Sequence, residues 1–165
     1  MNCPVCQRSL TQLKFANVTV DACHGGCGGV WFDNFELTKF DEPHESDGEA
    51  LLNIPVNPAL LIDHRRKRPC PKCPDVTMIR HFYSPKRKVE VDQCGNCGGF
   101  WLDMGELEAI RSEFVTEAER QKAVGEFVDS VAKPYIDKMR AQGPQGVQRA
   151  RQLSRLFGFV RPRAL

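Results

Sequence analysis

The chain of 165 residues contains eight cysteines, and they fall into two near-copies of one pattern. The first copy is Cys3-Pro4-Val5-Cys6, then a gap, then Cys23-His24-Gly25-Gly26-Cys27. The second is Cys70-Pro71-Lys72-Cys73, a gap, and Cys94-Gly95-Asn96-Cys97. Cysteine pairs on tight turns, taken two at a time, supply four thiolates at tetrahedral corners, the arrangement zinc prefers. The chemistry expected is therefore metal ligation at two sites: one zinc on Cys3, Cys6, Cys23 and Cys27, a second on Cys70, Cys73, Cys94 and Cys97. A disulfide framework would need an oxidising compartment, and a thioredoxin-type CxxC would occur once, near a βαβ pattern. The first set leaves an alternative open. Two residues separate His24 from Cys27, the normal gap, so three cysteines and His24 could form the site. The register of Val20-Asp21-Ala22-Cys23 against Val91-Asp92-Gln93-Cys94 favours Cys23.

A site of four cysteines is closed, with no position for a reacting water, which argues against an enzyme. His24, His44, His64 and His81 show no HExxH or HxE spacing, and neither a P-loop nor GxSxG is present. No small-molecule substrate is expected. Four thiolates can also hold iron, so a rubredoxin-like electron carrier is a further reading, one that colour would separate from zinc.

Elements that bring the cysteines together can be read from the gaps. Thr77–Phe82 and Lys88–Asp92 are β-rich around the turn-like Ser84-Pro85-Lys86-Arg87, and Leu13–Phe15 and Val18–Val20 flank Ala16-Asn17. Each repeat is thus a hairpin carrying two metal-binding turns. Gly28-Gly29 and Gly98-Gly99 suit sharp backbone bends that free N–H groups for the sulfurs. Trp31 and Trp101 are expected as core for units too small to build much of one, with base stacking as the alternative. Asp33-x-x-Glu36 and Asp103-x-x-Glu106 are read as helix starts rather than catalytic acids.

Both repeats resemble the transcription-factor-IIB-type zinc ribbon of small bacterial proteins, with its CPxC…VDxCxxCGGxWLDxGEL pattern. The likeness runs almost throughout Cys70 to Leu107. In the first repeat the second knuckle is one residue longer, and Asn34-Phe35 replaces x-Gly. The resemblance spans residues 1–40 and 70–110 and implies structural zinc in a binding module.

The expected fold class is a small metal-bound α+β protein, two zinc ribbons followed by a C-terminal helical extension. Its segments are a first ribbon (1–40), a linker (41–69), a second ribbon (70–107), a helical extension (108–142) and a basic amphipathic end (143–165). A first helix should begin near Asp103 with Leu107, Ile110 and Phe114 on one face. Thr116-x-x-Glu119 should cap a second, which Pro134 would kink or restart. Charge is uneven: residues 1–60 carry a net −5 and residues 61–165 a net +7. The linker turns from acidic (Asp41–Glu49) to basic (His64–Arg68), and the apolar Ala50–Ile62 between them is expected to lie along a ribbon. Candidate phosphate contacts are Arg65, Arg66, Lys67, Arg68, Lys86, Arg87, Lys88, Arg149, Arg151 and Arg155. The partner expected is therefore nucleic acid or the transcription machinery, with an acidic protein as the alternative. Met1–Leu10 show no leader pattern, and no apolar run approaches the ~18–20 residues of a membrane span, so the cytoplasm is the expected compartment.

Overall fold

The computed structural model describes residues 1–15, 18–41 and 49–141. Outside them lie the Ala16-Asn17 turn, most of the acidic stretch, and the segment from 142 onward with Arg149, Arg151 and Arg155.

Strands form where β-branched and aromatic residues alternate with polar ones. In the first repeat they are β1 (Thr11–Phe15), β2 (Val18–Ala22) and β3 (Val30–Phe32). In the second they are β4 (Ile79–Phe82), β5 (Glu90–Gln93) and β6 (Phe100–Leu102). All six join one antiparallel sheet in the order β1-β2-β3-β6-β5-β4. The two hairpins are not separate beads: β3 pairs with β6, placing Val30 opposite Leu102, Trp31 opposite Trp101 and Phe32 opposite Phe100.

Paired residues share a face of a sheet, so this register sorts the core in two. On one face lie Val18, Val20, Val30, Phe32, Val91 and Leu102, all buried. They are covered by Leu37 and Phe40 around the 3₁₀ turn Leu37–Lys39 and by Leu51 and Ile54 around the 3₁₀ turn Ala50–Asn53. Leu107 and Ile110 of helix α1 (Glu106–Arg111) complete the cover. Phe40 sits at the centre, its ring 5.7 Å from Phe32 and 6.3 Å from Phe15, and its carbonyl accepts from Arg111 Nη1 at 2.7 Å. The other face carries Trp31 and Trp101 beside the cysteines and Met78.

By contacts the chain divides into two units, one of residues 1–83 with 87–113, the other of residues 84–86 with 114 onward. The second contains α2 (Glu117–Ala141). Glu119 N donates to Thr116 Oγ1 (3.2 Å) and Val115 N to Glu119 Oε2 (3.2 Å), a reciprocal cap. Pro134 does not restart the helix as its residue type suggested. It removes one hydrogen bond from a long ladder whose flanks hold their helical form, and α2 continues to Ala141.

Candidate metal centres

Each metal-binding turn is set by backbone hydrogen bonds that return the chain onto its own cysteine. Cys3 N donates to Arg8 O (2.7 Å) and Gln7 N to Cys3 O (3.0 Å). The second repeat closes its own turn with Cys70 N to Val76 O (2.8 Å) and Val76 N to Cys73 O (2.9 Å). The second knuckles match: Cys23 N to Gly29 O (2.8 Å), Cys94 N to Gly99 O (2.9 Å). Gly28 and Gly98 take φ of 76° and 73°, the left-handed bend glycine adopts without strain.

These turns bring Cys3, Cys6, Cys23 and Cys27 into one group and Cys70, Cys73, Cys94 and Cys97 into another, with all sulfurs of a group within 4.8 Å of one another. Neighbouring sulfurs are 3.4 Å (Cys3–Cys27), 3.3 Å (Cys6–Cys23) and 3.7 Å (Cys70–Cys97) apart. That is far beyond a disulfide bond. It is close to the edge of about 3.8 Å that follows from four Zn–S bonds of about 2.3 Å in a tetrahedron, so the donor sets fit zinc. N–H groups already face the sulfurs: Val5 and Cys6 donate to Cys3 Sγ (3.4 Å), Cys27 to Cys23 Sγ (3.4 Å) and Cys73 to Cys70 Sγ (3.2 Å). Asn96 Nδ2 adds a bond to Cys73 Sγ (3.3 Å). Such donors stabilise the negative charge of a tetrathiolate.

Without metal the thiols differ. Burial pushes Cys23 up to about 12. Burial acts the same way on Cys94, but hydrogen bonds from the Cys97 and Asn96 backbone and from neighbouring thiols outweigh it and bring Cys94 to about 7. Zinc must displace protons from such thiols, so binding releases acid and weakens as pH falls.

His24 is exposed and belongs to neither group. The extra residue in its knuckle has a structural use. Gly25 N donates to Pro55 O (2.7 Å), Asn57 N donates to Gly26 O (2.8 Å), and Gly26 bridges Val56 in parallel. The lengthened turn thus ties down the apolar linker. Gly26 cannot be larger, because a Cβ there would sit 2.3 Å from Cys23 Sγ.

The tryptophans hold the two centres together. Trp31 Nε1 donates to Asp33 Oδ1 (3.0 Å) and Trp101 Nε1 to Asp103 Oδ1 (2.9 Å). The backbone N–H of each aspartate donates in turn to Glu36 Oε2 (2.8 Å) or Glu106 Oε2 (2.7 Å). The aspartate carboxylates therefore orient the indoles rather than capping the following turns, whose N-caps Glu36 and Gly105 make no side-chain cap bond. The turns open on backbone bonds from Glu36 N to Asp33 O (3.0 Å) and Glu106 N to Asp103 O (3.1 Å). Burial pushes Glu106 up to about 7 despite that N–H donor. The rings are exchanged: a Cβ on Gly29 would lie 2.2 Å from Trp101 Cζ2, and one on Gly99 2.2 Å from Trp31 Cζ2. Each tryptophan fills the space left by a glycine of the other repeat. Both are fully buried, so neither is a base-stacking platform.

The candidate phosphate contacts differ in their surroundings. Arg65, Arg66, Lys67, Arg87 and Lys88 are exposed. Arg68 departs from the expectation: it is 2% exposed, its Nη2 2.5 Å from Asp103 Oδ2 and its Nε 3.1 Å from Asp92 Oδ2. A buried guanidinium between two carboxylates serves the interior. Lys86 is 2.6 Å from Glu119 Oε1 and lies over the Phe114 ring.

A family model described as a transcription factor zinc-finger, the TFIIB-type zinc ribbon, matches residues 2–42 and 69–113. The chain belongs to that family, and with its two four-cysteine clusters it is a protein of two zinc ions. No curated protein and no solved structure matches it. No helix of the described residues is long and apolar enough to cross a membrane.

Proposed function

We propose that the chain is a non-enzymatic adaptor of the cytoplasm, shaped by two structural zinc ions and docking on a protein partner, for which a protein component of the transcription machinery is the candidate the family description suggests. The ligands are Cys3, Cys6, Cys23 and Cys27 in one centre and Cys70, Cys73, Cys94 and Cys97 in the other. The observation that carries the reading is the closure of both centres: four sulfurs per site, mostly buried, with backbone N–H groups spent on them. Zinc there supplies folding free energy, on the order of 10–16 kcal/mol per site in small zinc-finger peptides, and leaves no position for substrate.

Protein is favoured over nucleic acid because, among the described residues, two of the candidate phosphate contacts are taken by the chain's own acids. Arg68 is committed to Asp92 and Asp103, and Lys86 to Glu119. The exposed Arg65, Arg66 and Lys67 support nucleic acid as a second reading. Affinity capture from native lysate, with and without nuclease, separates the two. The adaptor reading expects the same protein partners in both; loss of every partner after nuclease, with binding whose affinity falls steeply with salt, would overturn it. The ligand assignment has its own test. His24→Ala should keep two zinc ions per chain by elemental analysis, whereas Cys23→Ser should keep one; the reverse result would replace Cys23 by His24.

A further inference from the structure

The outer strands of the sheet, β1 and β4, are bridged in the same way at one end. On the first edge Cys3 N donates to Arg8 O (2.7 Å) and Leu10 N to Met1 O (2.9 Å). On the second, Cys70 N donates to Val76 O (2.8 Å) and Met78 N to Arg68 O (2.9 Å). The second bridge ends there. Hydrogen bonding alternates along an antiparallel strand. Met78 N points outward to Arg68, and Tyr83 N points inward to Val89 O (2.9 Å). The N–H groups of Arg80 and Phe82 therefore face outward, and among the described residues no backbone group meets them.

The two edges differ in what they display. Gln12 is paired with Asp21 and Arg80 with Asp92, which equates Thr11 with Ile79 and Lys14 with Phe82. The first edge thus carries a threonine and a lysine, residues that discourage added strands. The second carries Ile79, 61% exposed, and Phe82, 37% exposed. Beside it runs a groove of about 490 Å³ lined by Arg65, Lys67, Met78, Ile79, Arg80 and Asp92. Asp92 is already answered by Arg68 and Arg80. Arg65 and Lys67, both exposed, make no ion pair among the described residues.

We propose that the open edge of β4 receives an extended acidic segment of a partner protein as an added strand, its carboxylates meeting Arg65 and Lys67. This rests on the adaptor reading and gives the partner its chemistry. Strand addition draws affinity from main-chain hydrogen bonds and specificity from alternate side chains, and the outward N–H groups with the exposed Ile79 offer both. A second copy of the chain is disfavoured, because β4 against β4 would crowd two sets of Arg65, Lys67 and Arg80 together. Nucleic acid would use the cations alone and leave the strand edge idle.

The test uses the full zinc-loaded chain and a fluorescent decapeptide of alternating glutamate and valine, with a lysine–valine decapeptide as control. The glutamate peptide should bind saturably and the control should not. Arg65→Glu with Lys67→Glu should weaken binding about tenfold or more, as should Ile79→Thr with Phe82→Thr, which removes the apolar side chains of the edge without changing its charge. Amide exchange at Arg80 and Phe82 should slow when the peptide is present. Zinc content of two per chain verifies that each variant is folded. No binding, or binding indifferent to both double variants, would overturn the proposal, as would a single-stranded oligonucleotide that occupies the groove in place of the peptide. Partners retained after nuclease in the capture experiment would leave the adaptor reading standing even then, so the two failures are distinguishable.

Discussion

Phe35 occupies the position that Gly105 fills in the second repeat, and both take the left-handed conformation, at φ of 69° and 86°. For a residue with a Cβ that conformation costs about 1–2 kcal/mol. Phe35 recovers little of it through packing, being 74% exposed. Phe35→Gly should therefore stabilise the protein by about 0.5–1 kcal/mol, the gain reduced by the added freedom of glycine in the unfolded chain. A denaturation midpoint that falls would contradict this. The departure at Phe35 was visible in the residues, because a motif glycine was missing there. The fate of Arg68 was not visible. In sequence it ends the run His64-Arg65-Arg66-Lys67-Arg68, and nothing local separates it from its neighbours. Only Asp92 and Asp103, distant in the chain and close in the fold, draw it inside.

Among elements, the hairpins and knuckles were legible because each is a local matter of alternation, glycine and cysteine spacing. The pairing of β3 with β6 was not, since three-residue strands carry no mark of their partner. The same holds for the tryptophans: a buried ring was expected, but not one lodged in the other repeat. The glycine pair holds the clue in retrospect. Gly28 and Gly98 need the bend, whereas Gly29 and Gly99 supply room. Gly29→Ala or Gly99→Ala must displace an indole or the strand that bears it. Each should cost about 1–3 kcal/mol, the range for forcing extra volume into a packed core. Chemical denaturation checks this, and a loss under about 0.5 kcal/mol, typical of surface substitutions, would mean that the rings are free to move.

At the scale of the molecule, a shared sheet makes the two metal centres dependent on each other. Cys97→Ser removes a ligand from the second, and the repeat has few apolar residues to hold it without metal. Its loss also removes β6 from β3 and Trp101 from Gly29. The expected result is damage in both repeats: fewer than two zinc ions per chain, and faster amide exchange at Val30–Phe32 as well as at Phe100–Leu102. Wild-type protection in β3 of the Cys97→Ser protein would show that the repeats stand alone.

The β3–β6 register has a consequence for the origin of the chain. Val30 faces Leu102 while Phe32 faces Phe100, with Trp31 and Trp101 at the centre, so the junction is related to itself by a half-turn. Such self-complementarity is the mark of an isologous contact between identical subunits. One ribbon doubled by gene fusion would produce it, each copy having first lent its indole to a twin. The separated second repeat, residues 68–113 loaded with zinc, should accordingly associate as a homodimer with Trp101 opposite Trp101. Sedimentation as a folded monomer would count against that descent.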